Sequence, residues 1–330
     1  MSAKKEKYKA VLLGCGGIGY QWDKEDSSSQ CALTHFKALQ ITEQIELVAV
    51  CDERVDVLSE IQSAYSIPGY QDLRCLFHEH CCDIVTIATP DFTHESVLEY
   101  ILELESPPSF VFVEKPIGLE LSRVERIVSQ YRQKGIFLEV NYIRRFCPGF
   151  CYLRKKLDEG AVGDIQSIII RYARGIKHNG SHFLDLINWL FSTTGRLISS
   201  TLVEKWKDED PTLSLTLAIK DTLKLYLIGS YHNDNCEAQF IEIVGSKGRI
   251  YVNHLGKITI QGVIPMKEYP GFTCYSDMDY IPVDVSVALL NAYQHSVRMI
   301  DGLDKEPVSE AKNSLEILKL IDNAIILSNK

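Results

Sequence analysis

Lys115 stands between Glu114 and Pro116 at the end of an apolar run, SFVFVEKP, that reads as a β-strand. In open α/β sheets, ligands bind just outside the carboxyl ends of the strands. An ammonium group there can hydrogen-bond a reacting oxygen and stabilise negative charge as it develops. Pro116 is a candidate for a cis peptide bond. A second group suited to proton transfer is His182, in HNGSHFLDL. An imidazole with its ordinary pKa of ~6.5 exchanges protons near working pH. Asp185 follows His182 by three residues, so on a helix the two share a face. Phe183, Leu186, Trp189 and Leu190 would then cover the core.

A third pattern is Gly14-Cys15-Gly16-Gly17-Ile18-Gly19, which fits G-x-G-x-x-G and directly follows the apolar run KAVLL. Gly14, Gly16, Gly17, Ile18 and Gly19 would form a tight turn that lets backbone approach a pyrophosphate at the next helix's N-terminus. Such a motif alone is common. Here it closes the first strand of a βαβ pattern, which is the context that gives it meaning. The expected acidic partner is Asp52, which ends LVAVCD. It lies 38 residues beyond Gly14, against a usual interval of about 20. The polar stretch Asp23 to Gln30 can house the extra length and is the expected loop. A carboxylate at this place accepts hydrogen bonds from a ribose 2′-hydroxyl and repels a 2′-phosphate, which favours NAD over NADP. Arg54 nearby weakens that preference.

The elements that must position these groups follow from periodicity. In the first 142 residues, near-continuous Val/Ile/Leu strands (KAVLLG, IELVAVCD, DIVTIATP, SFVFVEKP, IFLEVNY) alternate with amphipathic helices. That alternation predicts an α/β fold, a doubly wound parallel sheet with helices on both faces. The character changes near Tyr142. From 143 to 330 a helix, a long strand and the helix SHFLDLINWLF precede LISSTLVEKW, LSLTLAI, LKLYLIGSY, QFIEIVG, RIYVN and KITIQG. Short turns between strands favour a mostly antiparallel open sheet. Two closing helices could pack back on the first domain. The predicted organisation is thus a dinucleotide-binding domain over 1–142 and a substrate-binding, oligomerising α/β domain over 143–330.

Composition narrows the classes. The 330 residues are 45% hydrophobic and 24% charged, with net charge −9. That supports two packed domains and argues against binding nucleic acid, which needs a concentrated basic face. No apolar run reaches the ~18 residues of a membrane span. The apolar start leads straight into the glycine turn and reads as a strand, so a cytoplasmic protein with no membrane partner is expected. Ten cysteines then imply thiols and not disulfides. His78, His80, Cys81 and Cys82 (HEHCC) are the one metal-like cluster. Adjacent cysteines chelate poorly and no second pair answers them, so no metal is expected. Cys147 and Cys151, on a predicted helix, read as core or surface residues and not as a redox pair.

These segments resemble the glucose–fructose oxidoreductase/inositol dehydrogenase (Gfo/Idh/MocA) family over nearly the whole chain. VLLGCGGIG is similar to its opening motif, IATPDFTH to its I-x-T-P-x-x-x-H segment, VEKP to its E-K-P signature and VGSKGRI to its late strand–turn–strand. NYIRRFCPGF and DEGAVGDI resemble the crossing into its second domain. The resemblance implies cofactor contacts at Thr89, Pro90, His94, Glu114 and Lys115. It also implies NAD(P)-dependent hydride transfer at a ring carbon of a sugar, inositol or nucleotide-sugar, in a homodimer or homotetramer. Lys115 would polarise the oxygen and His182 exchange its proton, with Asp185 as the following carboxylate.

The family pattern D-x-G-x-H-x-x-D often has Asp where this chain has His178. His182 acting alone, a contribution from His178, or a substrate phosphate that supplies the charge all remain open. Tyr142, Arg145 and Asn179 are candidate substrate contacts. Tyr231 and His232, in GSYHNDN, are lesser ones. A nucleotide-sugar substrate is the expectation drawn from HNGSH. A free inositol or hexose, a tightly retained cofactor, or a non-catalytic NAD(P)-binding sensor on the same scaffold are the alternatives.

Overall fold

The structure is a computed structural model that describes residues 7–26, 30–207, 210–220, 222–231, 238–253, 256–276 and 280–329. His232 lies outside them. The chain divides into two compact units, Met1–Phe146 with Val285–Leu315, and Cys147–Asp284 with Glu316–Lys330.

In the first unit the strands are β1 (Tyr8–Leu13), β2 (Ile45–Cys51), β3 (Gly69–Tyr70), β4 (Ile84–Ile87), β5 (Phe110–Val113) and β6 (Phe137–Val140). The helices between them are α1 (His35–Ile41), α2 (Val55–Tyr65), α3 (Leu73–Glu79), α4 (His94–Leu102) and α5 (Leu121–Lys134). Among the described residues the strands form one parallel sheet in the order β3-β2-β1-β4-β5-β6. The chain reverses its direction of travel across the sheet between β1 and β4, and ligands of doubly wound sheets bind at such a point. Strands β4 and β5 are buried at every position, which is why they read as unbroken apolar runs and not as alternating ones.

Register places the strand ends in one row. Leu13 pairs with Cys51 and with Ile87, Ile87 with Val113, and Val113 with Val140. The next residue of each strand carries the ladder one step further. Gly14 N–H donates to Cys51 O, Ala88 N–H to Leu13 O, Glu114 N–H to Ile87 O and Asn141 N–H to Val113 O, at 2.7–2.8 Å. Asp52, Gly14, Ala88, Glu114 and Asn141 therefore line the carboxyl edge side by side.

The second unit contains helices α6 (Pro148–Asp158) and α7 (Ser181–Phe191). Its strands are β7 (Ile165–Tyr172), β8 (Arg196–Lys205), β9 (Pro211–Ala218), β10 (Lys224–Gly229), β11 (Phe240–Gly245), β12 (Gly248–Asn253), β13 (Lys257–Pro265), β14 (Thr273–Tyr275) and β15 (Tyr280–Pro282). The sheet order is β14-β13-β12-β11-β7-β10-β9-β8, with β15 also on β13. Pairing is antiparallel except between β7 and β10, which are parallel. One face is buried through Ile168, Ile170, Leu215, Leu225, Leu227 and Ile243, while Ile198, Leu202, Tyr226 and Ile228 are exposed. Two helices close the chain, α8 (Ala288–Ile300), which belongs to the first unit, and α9 (Ala311–Ser328).

Candidate functional site

The glycine turn begins where β1 stops. Gly14 has φ of +92°, and a Cβ there would lie 2.4 Å from Ala88 O, so glycine is required on both counts. A Cβ on Gly19 would lie 2.2 Å from Gly14 O, which closes the turn tightly. Gly16 is different, because a Cβ there would meet nothing within 4 Å. That open space over a bare backbone is what a pyrophosphate needs to come close, so the turn fits a dinucleotide.

Asp52 stands beside the turn. Its carboxylate accepts from Cys15 N–H at 2.7 Å, from Arg54 N–H at 3.0 Å and from the Arg54 guanidinium at 2.8 and 3.0 Å. Burial alone would raise its pKa. The hydrogen bonds from Arg54 and Cys15 outweigh burial and hold the carboxyl below its usual range. Asp52 is thus an anion at the place where a ribose hydroxyl would donate. Arg54 is the exposed partner, its side chain 43% accessible.

The E-K-P segment leaves the end of β5. The Lys115–Pro116 peptide is cis. Glu114 Oε1 accepts from Asn141 Nδ2 at 2.6 Å and from His35 Nε2 at 2.9 Å. His35 Nδ1 lies 2.7 Å from the Tyr293 hydroxyl, which lies 2.8 Å from Thr86 Oγ1. Directions follow from chemistry. Nε2–H is given to the carboxylate, and the Tyr293 hydroxyl joins Nδ1 to Thr86 Oγ1. Burial pushes Glu114 up, but the His35 and Asn141 bonds and the Lys115 charge prevail and keep it below the ordinary glutamate value. An anchored carboxylate therefore stands next to the Lys115 backbone, whose N–H is 3.3 Å from Glu114 Oε2.

His94 and Glu95 fasten the same loop. His94 Nδ1 is 2.7 Å from Pro116 O and Nε2 is 2.9 Å from Thr89 O, so one ring ties the Thr89-Pro90 segment to the E-K-P segment. Glu95 Oε1 accepts from Leu119 N–H at 3.1 Å and Glu120 N–H at 2.8 Å. Tyr142 and Arg145 are buried, and Arg145 Nη1 donates to Val308 O at 2.9 Å. That bond fixes the guanidinium within its own unit.

The second unit carries HNGSH. Residues Gly175–Gly180 form a π-helical turn, entered through Arg174 at φ +69° and Gly175 at φ +75°. Buried Asp210 lies under the turn and accepts from Lys177 N–H at 2.9 Å and His178 N–H at 2.8 Å. A Cβ on Gly175 would sit 2.1 Å from Asp210 Oδ2, so the carboxylate leaves room for glycine alone. Burial pushes the Asp210 carboxyl up, against the pull of the Lys177 and His178 N–H groups. The His178 ring packs against Trp206 at a tilt of 35°, with centroids 4.9 Å apart. The Asn179 side-chain amide donates to Ala173 O at 2.9 Å and Gln239 Oε1 at 2.7 Å. His182 is part-exposed in the first turn of α7, and Asp185 is buried.

His35, Asn141, Glu95 and Asp210 were not among the residues singled out in the sequence. Each acts on a segment far along the chain, where spacing carries no signal. In HEHCC, His80 Nε2 is 2.9 Å from the Tyr70 hydroxyl, and burial pushes the Cys82 thiol up to about 12. Among the described residues no group of three His, Cys, Asp or Glu side chains could hold a metal ion, and no helix is long and apolar enough to cross a membrane.

Comparison with known proteins places these observations. Residues 9–142 match the Gfo/Idh/MocA family model, described as an oxidoreductase family with an NAD-binding Rossmann fold. An inositol 2-dehydrogenase of Rhizobium meliloti is 30% identical over 338 residues, covering 95% of this chain and 94% of that protein. Solved structures that share the fold include the following two. An oxidoreductase from Agrobacterium radiobacter, solved with NAD+, L-tartaric acid and magnesium, has a TM-score of 0.76 at 17% identity, covering 98% of this chain and 97% of that one. The transcriptional regulator Gal80p of Kluyveromyces lactis has a TM-score of 0.80 at 16% identity, covering 100% of this chain and 94% of its own.

Proposed function

The chain belongs to the Gfo/Idh/MocA family of oxidoreductases, and on that premise we propose that it is an NAD-dependent dehydrogenase of a cyclic polyol of the inositol kind. One observation supports this above the others. The carboxyl edge of a single parallel sheet carries the glycine turn, the ionised Asp52 and the anchored Glu114-Lys115 step side by side. A dinucleotide site and a polarising ammonium thus share one edge.

The chemistry assigned to each residue follows. Gly14, Gly16, Gly17, Ile18 and Gly19 cradle the pyrophosphate, and Asp52 accepts from the ribose, which favours NAD over NADP. Thr89, Pro90 and His94 hold the neighbouring strand end. Bound NAD+ supplies the hydride acceptor. Lys115 donates a hydrogen bond to the reacting oxygen, and Glu114 fixes the step from which it extends. His182 takes the hydroxyl proton in the oxidising direction and returns it in the other. Asp185 and His178 flank it on the same segment, and Asn179 holds that segment in place. Lys115 and His182 lie in different units, and each role is assigned on its own local evidence.

The nucleotide-sugar expectation gives way here, because a relative that spans almost the whole chain is named for inositol. The exposed Ile198, Leu202, Tyr226 and Ile228 on the open sheet face support self-association as a homodimer or homotetramer. A second reading, a non-catalytic NAD-binding regulator, rests on His178, whose ring is engaged on Trp206 where the family pattern has a carboxylate. The experiment follows absorbance at the NADH band with NAD+ and a panel of inositols, hexoses and UDP-sugars. A rise with inositols supports the proposal, and a rise with UDP-sugars alone overturns the substrate class. No rise with any of them, in protein that binds NAD+, moves the assignment to the regulator.

A further inference from the structure

The helix that should leave the glycine turn is interrupted. Tyr20 N–H donates to Gly16 O four residues back, as in an α-helix, while Gln21 N–H to Gly16 O and Trp22 N–H to Gly17 O reach five residues back. The next acceptors, Ile18 O and Gly19 O, are filled by His35 N–H and Phe36 N–H, both at 2.9 Å. In a continuous helix those donors would be residues 22 and 23. The helix therefore resumes thirteen residues late in α1, and an excursion has been spliced into its first turns. This accounts for most of the long interval from Gly14 to Asp52.

Both feet of the excursion are pinned. Asp23 is buried, and its carboxylate accepts from Leu33 N–H at 2.5 Å, Thr34 N–H at 3.1 Å and Thr34 Oγ1 at 2.6 Å. Glu60 on α2 accepts from the Tyr20 hydroxyl and the Lys24 ammonium, each at 2.9 Å. Trp22 sits between these anchors and is 67% exposed.

Its indole lies on the glycine turn itself. A Cβ placed on Gly17 would be 2.6 Å from Trp22 Nε1 and 2.8 Å from Cε2. The backbone of Gly17 is not in the left-handed region, so the need for glycine there comes from the indole and not from the turn. Next to it, Gly16 is the position with open space above it. A large apolar ring is thus held at the rim of the phosphate approach by a braced backbone, with most of its surface in water. Leaving such a ring uncovered forgoes the gain of burying it.

We propose that Trp22 is a cofactor-contact residue, an aromatic wall that covers the bound dinucleotide beside its pyrophosphate and slows its release. The inference rests on the NAD-binding reading and not on the choice of substrate. An aromatic plane stacks on any base or ring without a need for matched donors, and removal of one such contact weakens nucleotide binding about tenfold. Trp189 and Trp206, the other two tryptophans, lie in the second unit.

The test is titration of the full chain with NAD+ and NADH, read by tryptophan fluorescence and by calorimetry. Wild type is expected to show quenching. Trp22→Ala is expected to lose most of the quenching, to raise the NAD+ Kd about tenfold and to speed NADH release, with an unchanged melting temperature. Trp22→Phe keeps a ring and is expected to retain most of the affinity. Wild-type Kd and wild-type release rate in Trp22→Ala would overturn the inference while leaving NAD binding intact. Failure of wild type to bind NAD+ at all would overturn both.

Discussion

Replacing His35 by alanine removes the ring that joins Tyr293 to Glu114. That ring is fully buried, with Nε2 2.9 Å from Glu114 Oε1 and Nδ1 2.7 Å from the Tyr293 hydroxyl. Two costs combine. A hydrogen bond to a charged group contributes roughly 1.5–3 kcal/mol, and its loss leaves the acceptor under-solvated. The space left by a buried ring of this size costs about 2–3 kcal/mol more. The expected destabilisation is about 4–5 kcal/mol, or a melting temperature lower by on the order of 10 °C for a unit of this length. His35→Gln keeps a donor toward Glu114 and is expected to lose about half as much. The pH dependence has a definite sign. Glu114 is held below its usual value, so its contribution is present above the unfolded pKa of ~4.3 and disappears as pH falls through the folded one. The gap between wild type and His35→Ala therefore narrows on acidification. Circular dichroism melts from pH 7 down to about pH 2.5 measure it, with the narrowing expected below about pH 4.3. A variant that melts within about 2 °C of wild type at pH 7, or a gap that widens as pH falls, would refute the reasoning.

Two further predictions concern buried carboxylates. His295 lies between Glu139 Oε1 at 3.2 Å and Asp304 Oδ2 at 2.8 Å, the latter also bound by Arg298. Burial lowers the pKa of this histidine, but the two carboxylates outweigh it and raise the value overall. Its contribution is full below about pH 6.5 and is lost as pH rises through the raised value. Wild type should thus lose melting temperature relative to His295→Gln on the alkaline side, and parallel melting curves across that range would count against it. Asp210→Ala removes the acceptor of Lys177 N–H and His178 N–H, at a cost of about 2–3 kcal/mol. Faster amide exchange at both residues is expected, Asp210→Asn should recover most of the protection, and unchanged exchange in the alanine variant would show that the turn holds itself.

The readable parts of the fold were those where burial is continuous. Strands β4 and β5 are almost wholly Val, Ile and Phe because both faces of a parallel sheet are covered there, β1, β2 and β6 are largely apolar, and that pattern exposed the doubly wound class. β3 has only Gly69 and Tyr70, and β14 and β15 have three residues each, too few to show any period. The parallel pairing of β7 with β10 was also hidden, because turn lengths report on neighbours in sequence while these two strands meet across β8 and β9. At the site, Gly14, Asp52, Glu114 and Lys115 were legible because each ends a strand. His35 was read as one more residue of an amphipathic helix, since a hydrogen bond to Glu114 leaves no trace in spacing. The excursion carrying Trp22 did leave one, the 38-residue interval from Gly14 to Asp52. Only the backbone ladder from Ile18 and Gly19 to His35 and Phe36 shows where the extra residues enter.

The central claim is that Lys115 polarises a polyol oxygen for hydride transfer to NAD+. Its most direct test is the steady-state rate of NADH formation from inositol by wild type and by Lys115→Met, with the NAD+ Kd of each measured alongside. The account predicts turnover in wild type and a loss of roughly a hundredfold or more in the variant, with the NAD+ Kd altered only slightly. A variant that turns over as fast as wild type, or a wild type that binds NAD+ and oxidises no inositol, would contradict it.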